Sequence, residues 1–196
     1  ASINYQSPWW SSYSLVEDHF ARVNAAMTRG KPLVKLGVIH PVESYWLHWG
    51  PNSQTGMLRD QMDERFQGVT QWLLFGGYDF DYIDESLLPS LCEKAGNPIQ
   101  VGKMAYDVVV VPGCETLRAT TVERLRDFEK AGGTVIVMGE APSLVDAIPS
   151  EEGKKLAENA RQIPFERVAL IEALEPFRTV RLENRCLSIS SQSCQK

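Results

Sequence analysis

The ends of the apolar, β-rich runs in this 196-residue chain carry the side chains able to do chemistry. His40 and Glu43 follow the first run, Asp84 and Glu85 follow residues 78–83, Cys114 and Glu115 follow four consecutive valines, and Glu140 follows the last run. Two such carboxylates about 5 to 9 Å apart, one with a raised pKa, would form the acid/base pair of glycoside hydrolysis. A solvated acidic rim is the preferred reading of the same residues. Cys114 is the one candidate nucleophile, because a cysteine just past a buried strand can be activated by a helix N-terminus and a histidine. Its neighbour Glu115 would raise a thiol's pKa instead, so an ordinary buried or half-exposed thiol is expected.

The turn after the first run contains Pro41, Glu43, Tyr45 and Trp46. Cradling a phosphate needs free backbone amides on a small-residue turn, so neither a nucleotide nor a flavin is expected, and no other cofactor is indicated. Aromatic residues crowd the first fifty positions, with Tyr45, Trp46 and Trp49 in one loop. Aromatic faces stack on sugars or anchor interfaces, and packing or docking against a neighbouring domain is expected ahead of direct sugar contact.

Composition narrows the classes. Apolar residues make up 43% and charged residues 23%, ordinary globular proportions, and the length suits one domain with or without an attached segment. A net charge of −5 and the lack of a basic cluster argue against a nucleic-acid partner. No apolar run approaches the roughly 20 residues that span a bilayer, so no membrane association is expected. The chain starts without the features of a signal peptide, although a leader removed upstream would not be visible. A soluble protein is expected, cytoplasmic rather than secreted, with its compartment otherwise open. Cys92, Cys114, Cys186 and Cys194 show no paired spacing and read as free thiols, and three histidines without an H-E-x-x-H pattern suggest no metal site.

The positioning elements follow from periodicity. Ser14 and Glu17 form a capping box for a first helix that carries Leu15, Phe20, Val23 and Met27 and ends at a left-handed Gly30. Residues 33–39 read as a strand, and a second helix lies between Thr55 and Leu74. Residues 78–83 alternate as an edge strand, and Asp84 caps a short helix reaching Leu91. Residues 99–101 are β-rich, and Val108 to Val111 read as a strand buried on both faces, as in parallel sheets covered by helices on each side. Thr120 and Glu123 form a second capping box, and residues 134–138 read as the last buried strand. Helices are expected at 154–162 and 165–174, then a strand-like stretch from Phe177 and a fraying polar tail.

This α/β alternation predicts a flavodoxin-like three-layer sandwich with a mainly parallel open sheet and a ligand crevice at the carboxyl ends of its strands. The expected organisation is a linking segment at 1–32, an α/β domain at 33–175, and a strand with a disordered tail at 176–196 that leads to a next domain.

Ser7-Pro8-Trp9-Trp10, Asp18-His19-Phe20-Ala21-Arg22-Val23-Asn24, Gly30-Lys31-Pro32, Val38-Ile39-His40-Pro41-Val42-Glu43-Ser44 and Asp79-Phe80-Asp81-Tyr82-Ile83 resemble the region just after the catalytic barrel in bacterial α-L-rhamnosidase-like glycoside hydrolases. Residues 109–113 and 125–135 are similar to the glutamine-amidotransferase-like domain that serves as the trimerisation domain in some β-galactosidases. The likeness covers residues 5–140. It implies a class I glutamine-amidotransferase-like fold and a non-catalytic accessory role beside an upstream catalytic barrel and a downstream domain, with possible homo-oligomers. Amidotransferases of this fold carry their nucleophilic cysteine on the turn after the strand matching 134–137, and here that turn reads Met138-Gly139-Glu140, which argues against that chemistry. Two alternatives stay open: a small hydrolase or amidotransferase-like enzyme using Cys114 or the rim carboxylates, and a carbohydrate-binding module using Trp46 and Trp49.

Overall fold

The computed structural model describes residues 4–180, in two compact units, Ala1–Leu33 and Val34–Lys196. In the first unit a 3-10 turn, Trp10–Ser12, runs directly into α1, Tyr13–Met27. The turn supplies its own backbone bonds, including Tyr13 N–H to the Trp10 carbonyl, so the helix has already begun at Ser14 and the expected capping box does not form. The far end closes on Thr28, whose amide and hydroxyl both reach the Asn24 carbonyl, and Gly30 is not left-handed. No residue of α1 is buried, and Leu15, Phe20 and Met27 face outward.

In the second unit β1, Leu36–Ile39, is buried throughout and leads into α2, Val42–Leu47, and the long α3, Asn52–Phe75. β2, Phe80–Ile83, and α4, Leu88–Leu91, precede a small antiparallel hairpin of β3, Ile99–Val101, and β4, Met104–Tyr106. After β5, Val108–Pro112, come β6, Thr116–Leu117, α5, Ala119–Lys130, and β7, Thr134–Met138. The short strands β8, Leu144–Val145, and β9, Ile148–Pro149, form a side sheet in the order β6-β8-β9, with β8 parallel to β6 and antiparallel to β9. α6, Glu152–Asn159, β10, Arg161–Ile163, α7, Arg167–Leu174, and a 3-10 turn, Glu175–Phe177, complete the described chain.

The central sheet has five strands, all parallel, in the order β10-β7-β5-β1-β2. Counting only these strands along the chain, the order is that of a flavodoxin-like sandwich, with its switch point between β1 and β5. Strand alternation explains why four consecutive valines suit the middle: Val109 and Val111 enter the core under α4, α5 and α6, while Val108 and Val110 enter the core under α3 and α7. β2 lies at an edge, as its alternating pattern requires.

Several local expectations are corrected. Residues 42–47 are helical rather than a plain turn. The helix expected over 154–162 ends at Asn159, Ala160 turns extended, and residues 161–163 instead pair with the open edge of β7, from Arg161 beside Ile136 to Ile163 beside Met138. α5 starts at Ala119, which puts Thr120 inside its first turn. The caps come from distant carboxylates: Arg118 N–H donates to Glu85 Oε2 at 2.8 Å and Ala119 N–H to Asp146 Oδ1 at 3.1 Å. The strand-like reading from Phe177 gives way to the 3-10 turn at its start, and the polar tail lies outside the described residues. Among the described residues no helix is long and apolar enough to cross a membrane.

Leu125 is fully buried between α5 and the sheet, and Leu125→Ala is expected to cost about 2–5 kcal/mol. In urea unfolding the midpoint should fall while the slope stays unchanged.

Candidate functional site

A cleft of about 550 Å³ opens at the switch point, between the carboxyl ends of β1, β5 and β7. Two left-handed glycines, Gly113 (φ 63°) and Gly139 (φ 74°), turn the chain at the ends of β5 and β7, a conformation that a side chain makes costly. Phe165, just after β10, packs against both turns: a methyl added at Gly113 would stand 3.3 Å from its ring and one added at Gly139 3.5 Å from its Cβ. Tyr45 of α2 and the middle of α3, with Met62, Asp63, Arg65 and Phe66, supply the opposite wall.

Of the residues singled out in the sequence, the cleft brings together His40, Tyr45, Cys114, Glu115 and Glu140. His40 is half-buried at the end of β1, its ring edge-on to Phe66 at 5.2 Å and Tyr82 at 5.7 Å. Glu115 is engaged by His48, with Nε2 and Oε2 2.5 Å apart. Glu140 is exposed at the lip. Cys114 is only 2% exposed, and burial, with the Glu85 carboxylate adding to it, holds its thiol well above the ordinary range.

Glu43, Glu85, Trp46 and Trp49 do not line the cleft. Glu43 is paired with Arg118 Nε at 2.5 Å. Glu85, 2% exposed, caps α5 through the Arg118 amide, and burial lifts its pKa to about 7, with the Glu43 charge reinforcing the rise and the Arg118 amide and guanidinium opposing it. Trp46 and Trp49 are 60% and 70% exposed, and the Arg59 guanidinium sits 4.8 Å from the centre of the Trp49 ring, on the face a sugar would use.

What holds α2 beside the β5–β6 connection is Ser44, which sequence reasoning missed. Its buried hydroxyl accepts the amides of Glu115 at 3.0 Å and Thr116 at 3.1 Å and donates to the Thr116 carbonyl at 3.3 Å. No local pattern announces a bond to residues so far along the chain. Asp63, Arg65 and Phe66 were also missed, because they lie midway along α3, several turns beyond the end of β1. Phe165 carried no signal, because its place depends on β10.

Nucleophilic chemistry has little to work with here. The Cys114 thiol is buried and neutral, and the Gly139 turn has no side chain. Among the described residues no group of three or more His, Cys, Asp or Glu is arranged to hold a metal ion. The polar groups left on the cleft include His40, Asp63, Arg65 and Glu140. No protein-family model matches the chain, and no curated protein matches it.

Two measurements follow from the buried groups. A carboxylate with a folded pKa near 7 against an ordinary 4.5 binds its proton more tightly when folded, so its effect on stability is unfavourable at high pH, about 3 kcal/mol, and grows as pH rises from about 4.5 to 7. Glu129 is also lifted to about 7 by burial and shares this window, so Glu85→Gln should reduce the pH slope of unfolding free energy by up to one proton and raise the melting temperature at pH 8. Iodoacetamide at pH 8 should leave the Cys114 peptide unlabelled in native protein and label it in denaturant, read by mass spectrometry.

Proposed function

We propose that this chain is a non-catalytic accessory domain of a multidomain glycoside hydrolase, of the α-L-rhamnosidase-like kind, that supports an upstream catalytic barrel or mediates oligomerisation. The observation that carries the reading is the turn after β7, Met138-Gly139-Glu140, which holds no cysteine where the resemblance places the nucleophile and turns on a left-handed Gly139. Cys114 does not replace it, being buried with a raised thiol pKa. Three of the four rim glutamates are already engaged: Glu43 is held by Arg118, Glu85 caps a helix and Glu115 is held by His48.

Exposed apolar side chains support a role beside a neighbour. Trp46, Leu47 and Trp49 on and after α2, and Met57 and Leu58 on α3, are exposed in the second unit. Trp9, Trp10, Leu15, Phe20 and Met27 are exposed in the first. Exposed apolar side chains are what a partner surface covers where they form a contiguous patch, and Trp46, Leu47 and Trp49 lie within four residues of one another. A catalytic barrel before the domain and a further domain after it are the partners proposed. Sugar binding by Trp49 is the weaker alternative, since Arg59 already occupies a face of its ring.

Hydrolysis of aryl α-L-rhamnoside and a panel of other aryl glycosides tests this, comparing the 196-residue chain with a longer one that includes the proposed barrel. Turnover is expected in the longer chain alone. Turnover by the 196 residues, or none by the longer chain on any substrate, would overturn the proposal.

A further inference from the structure

Polar groups at this end of the sheet fall into two sets. Glu43, His48, Glu115 and Arg118 are paired with one another. The side chains of His40, Asp63, Arg65 and Glu140, all on the cleft, make no hydrogen bond or ion pair with any other described residue. Arg65 is nonetheless placed, its guanidinium 5.5 Å from the centre of the Phe165 ring, with its N–H donors left over. A half-buried imidazole, two carboxylates and a guanidinium with unspent hydrogen-bonding capacity thus surround one cavity walled by Tyr45, Phe66 and Phe165.

We infer that this cleft is a binding site for a small uncharged polyhydroxylated ligand, a mono- or disaccharide. Its volume of about 550 Å³ lies within the range of ligand pockets, roughly 300 to 1,000 Å³. Carboxylates and a guanidinium recognise vicinal hydroxyls as paired acceptors and donors, and aromatic walls take the C–H faces of a sugar ring. Charge disfavours an anion, because Asp63, Glu115 and Glu140 face the single fixed cation Arg65. Two of the turn amides that could cradle a phosphate are already used: Gly113 N–H donates to the Val111 carbonyl and Gly139 N–H to the Ile163 carbonyl. The site is distinct from the Trp46 and Trp49 surface and does not depend on the accessory role proposed above.

The test is a ¹H–¹⁵N chemical-shift titration of the 196-residue chain with L-rhamnose, D-galactose, D-glucose, lactose and, separately, sodium phosphate. At least one sugar should shift the amides of Cys114, Glu115, Glu140 and Ala141 saturably, with Kd in the millimolar range or below. Arg65→Ala and Glu140→Gln, both at exposed positions, should each weaken binding about tenfold or more while the rest of the spectrum stays in place, and Trp46→Ala should leave it unchanged. Shifts confined to residues 46–49, cleft shifts with phosphate but not sugar, or no shift with any sugar at about 50 mM would each overturn the inference. Catalytic inactivity of the chain, expected under the accessory role, has no bearing on this readout.

Discussion

The rest of the structure depends on the double burial of β5. Val108 to Val111 have no accessible surface, and a strand with both faces covered needs a helical layer on each side. That requirement fixes α4, α5 and α6 on one face and α3 and α7 on the other. It also leaves β5 flanked by β1 and β7, since an unpaired edge on so apolar a strand would be a template for aggregation. With β1 beside β5 and the chain leaving β1 toward the opposite edge, the sheet acquires its switch point and a gap between diverging connections. The cleft is therefore a result of how the core is covered, and its chemistry was added by the turns.

Those turns are held by long-range polar contacts rather than local signals. Ser44 serves two amides and a carbonyl across the β5–β6 connection, and Glu85 and Asp146 take the first amides of α5. The bonds of Ser44 and Glu85 satisfy backbone groups in buried or half-buried places, where leaving one unpaired would cost about 1–3 kcal/mol, whereas the Asp146 bond to Ala119 is exposed. Glu85 fills its role at the expense of ionisation, because the same burial that makes the cap useful disfavours its charge.

This division explains what was legible in the sequence. The valine run, the apolar spacing of α3 and the alternation of β2 are written in neighbouring residues, so the sheet and its edge could be anticipated. α2 and β10 could not, since six residues of α2 are stabilised through Ser44 and the three residues of β10 by the open side of β7. Both capping boxes looked sound but lost their positions, one to a preceding 3-10 turn and one to carboxylates from elsewhere. At the site, His40, Cys114, Glu115 and Glu140 could be read from strand ends. Asp63, Arg65 and Phe165 reach the same cleft from a helix and a late loop, which only the three-dimensional path brings near.

Phe165 has a consequence in time as well as space. It follows β10, the last strand to join the sheet, yet it packs against the turns of two strands made earlier. During synthesis from the N-terminus the central valines, β1 and β7 can assemble while the cleft still lacks one wall. The cleft is thus complete only once the C-terminal edge has docked, which makes a finished cleft a report that the whole sheet has been built.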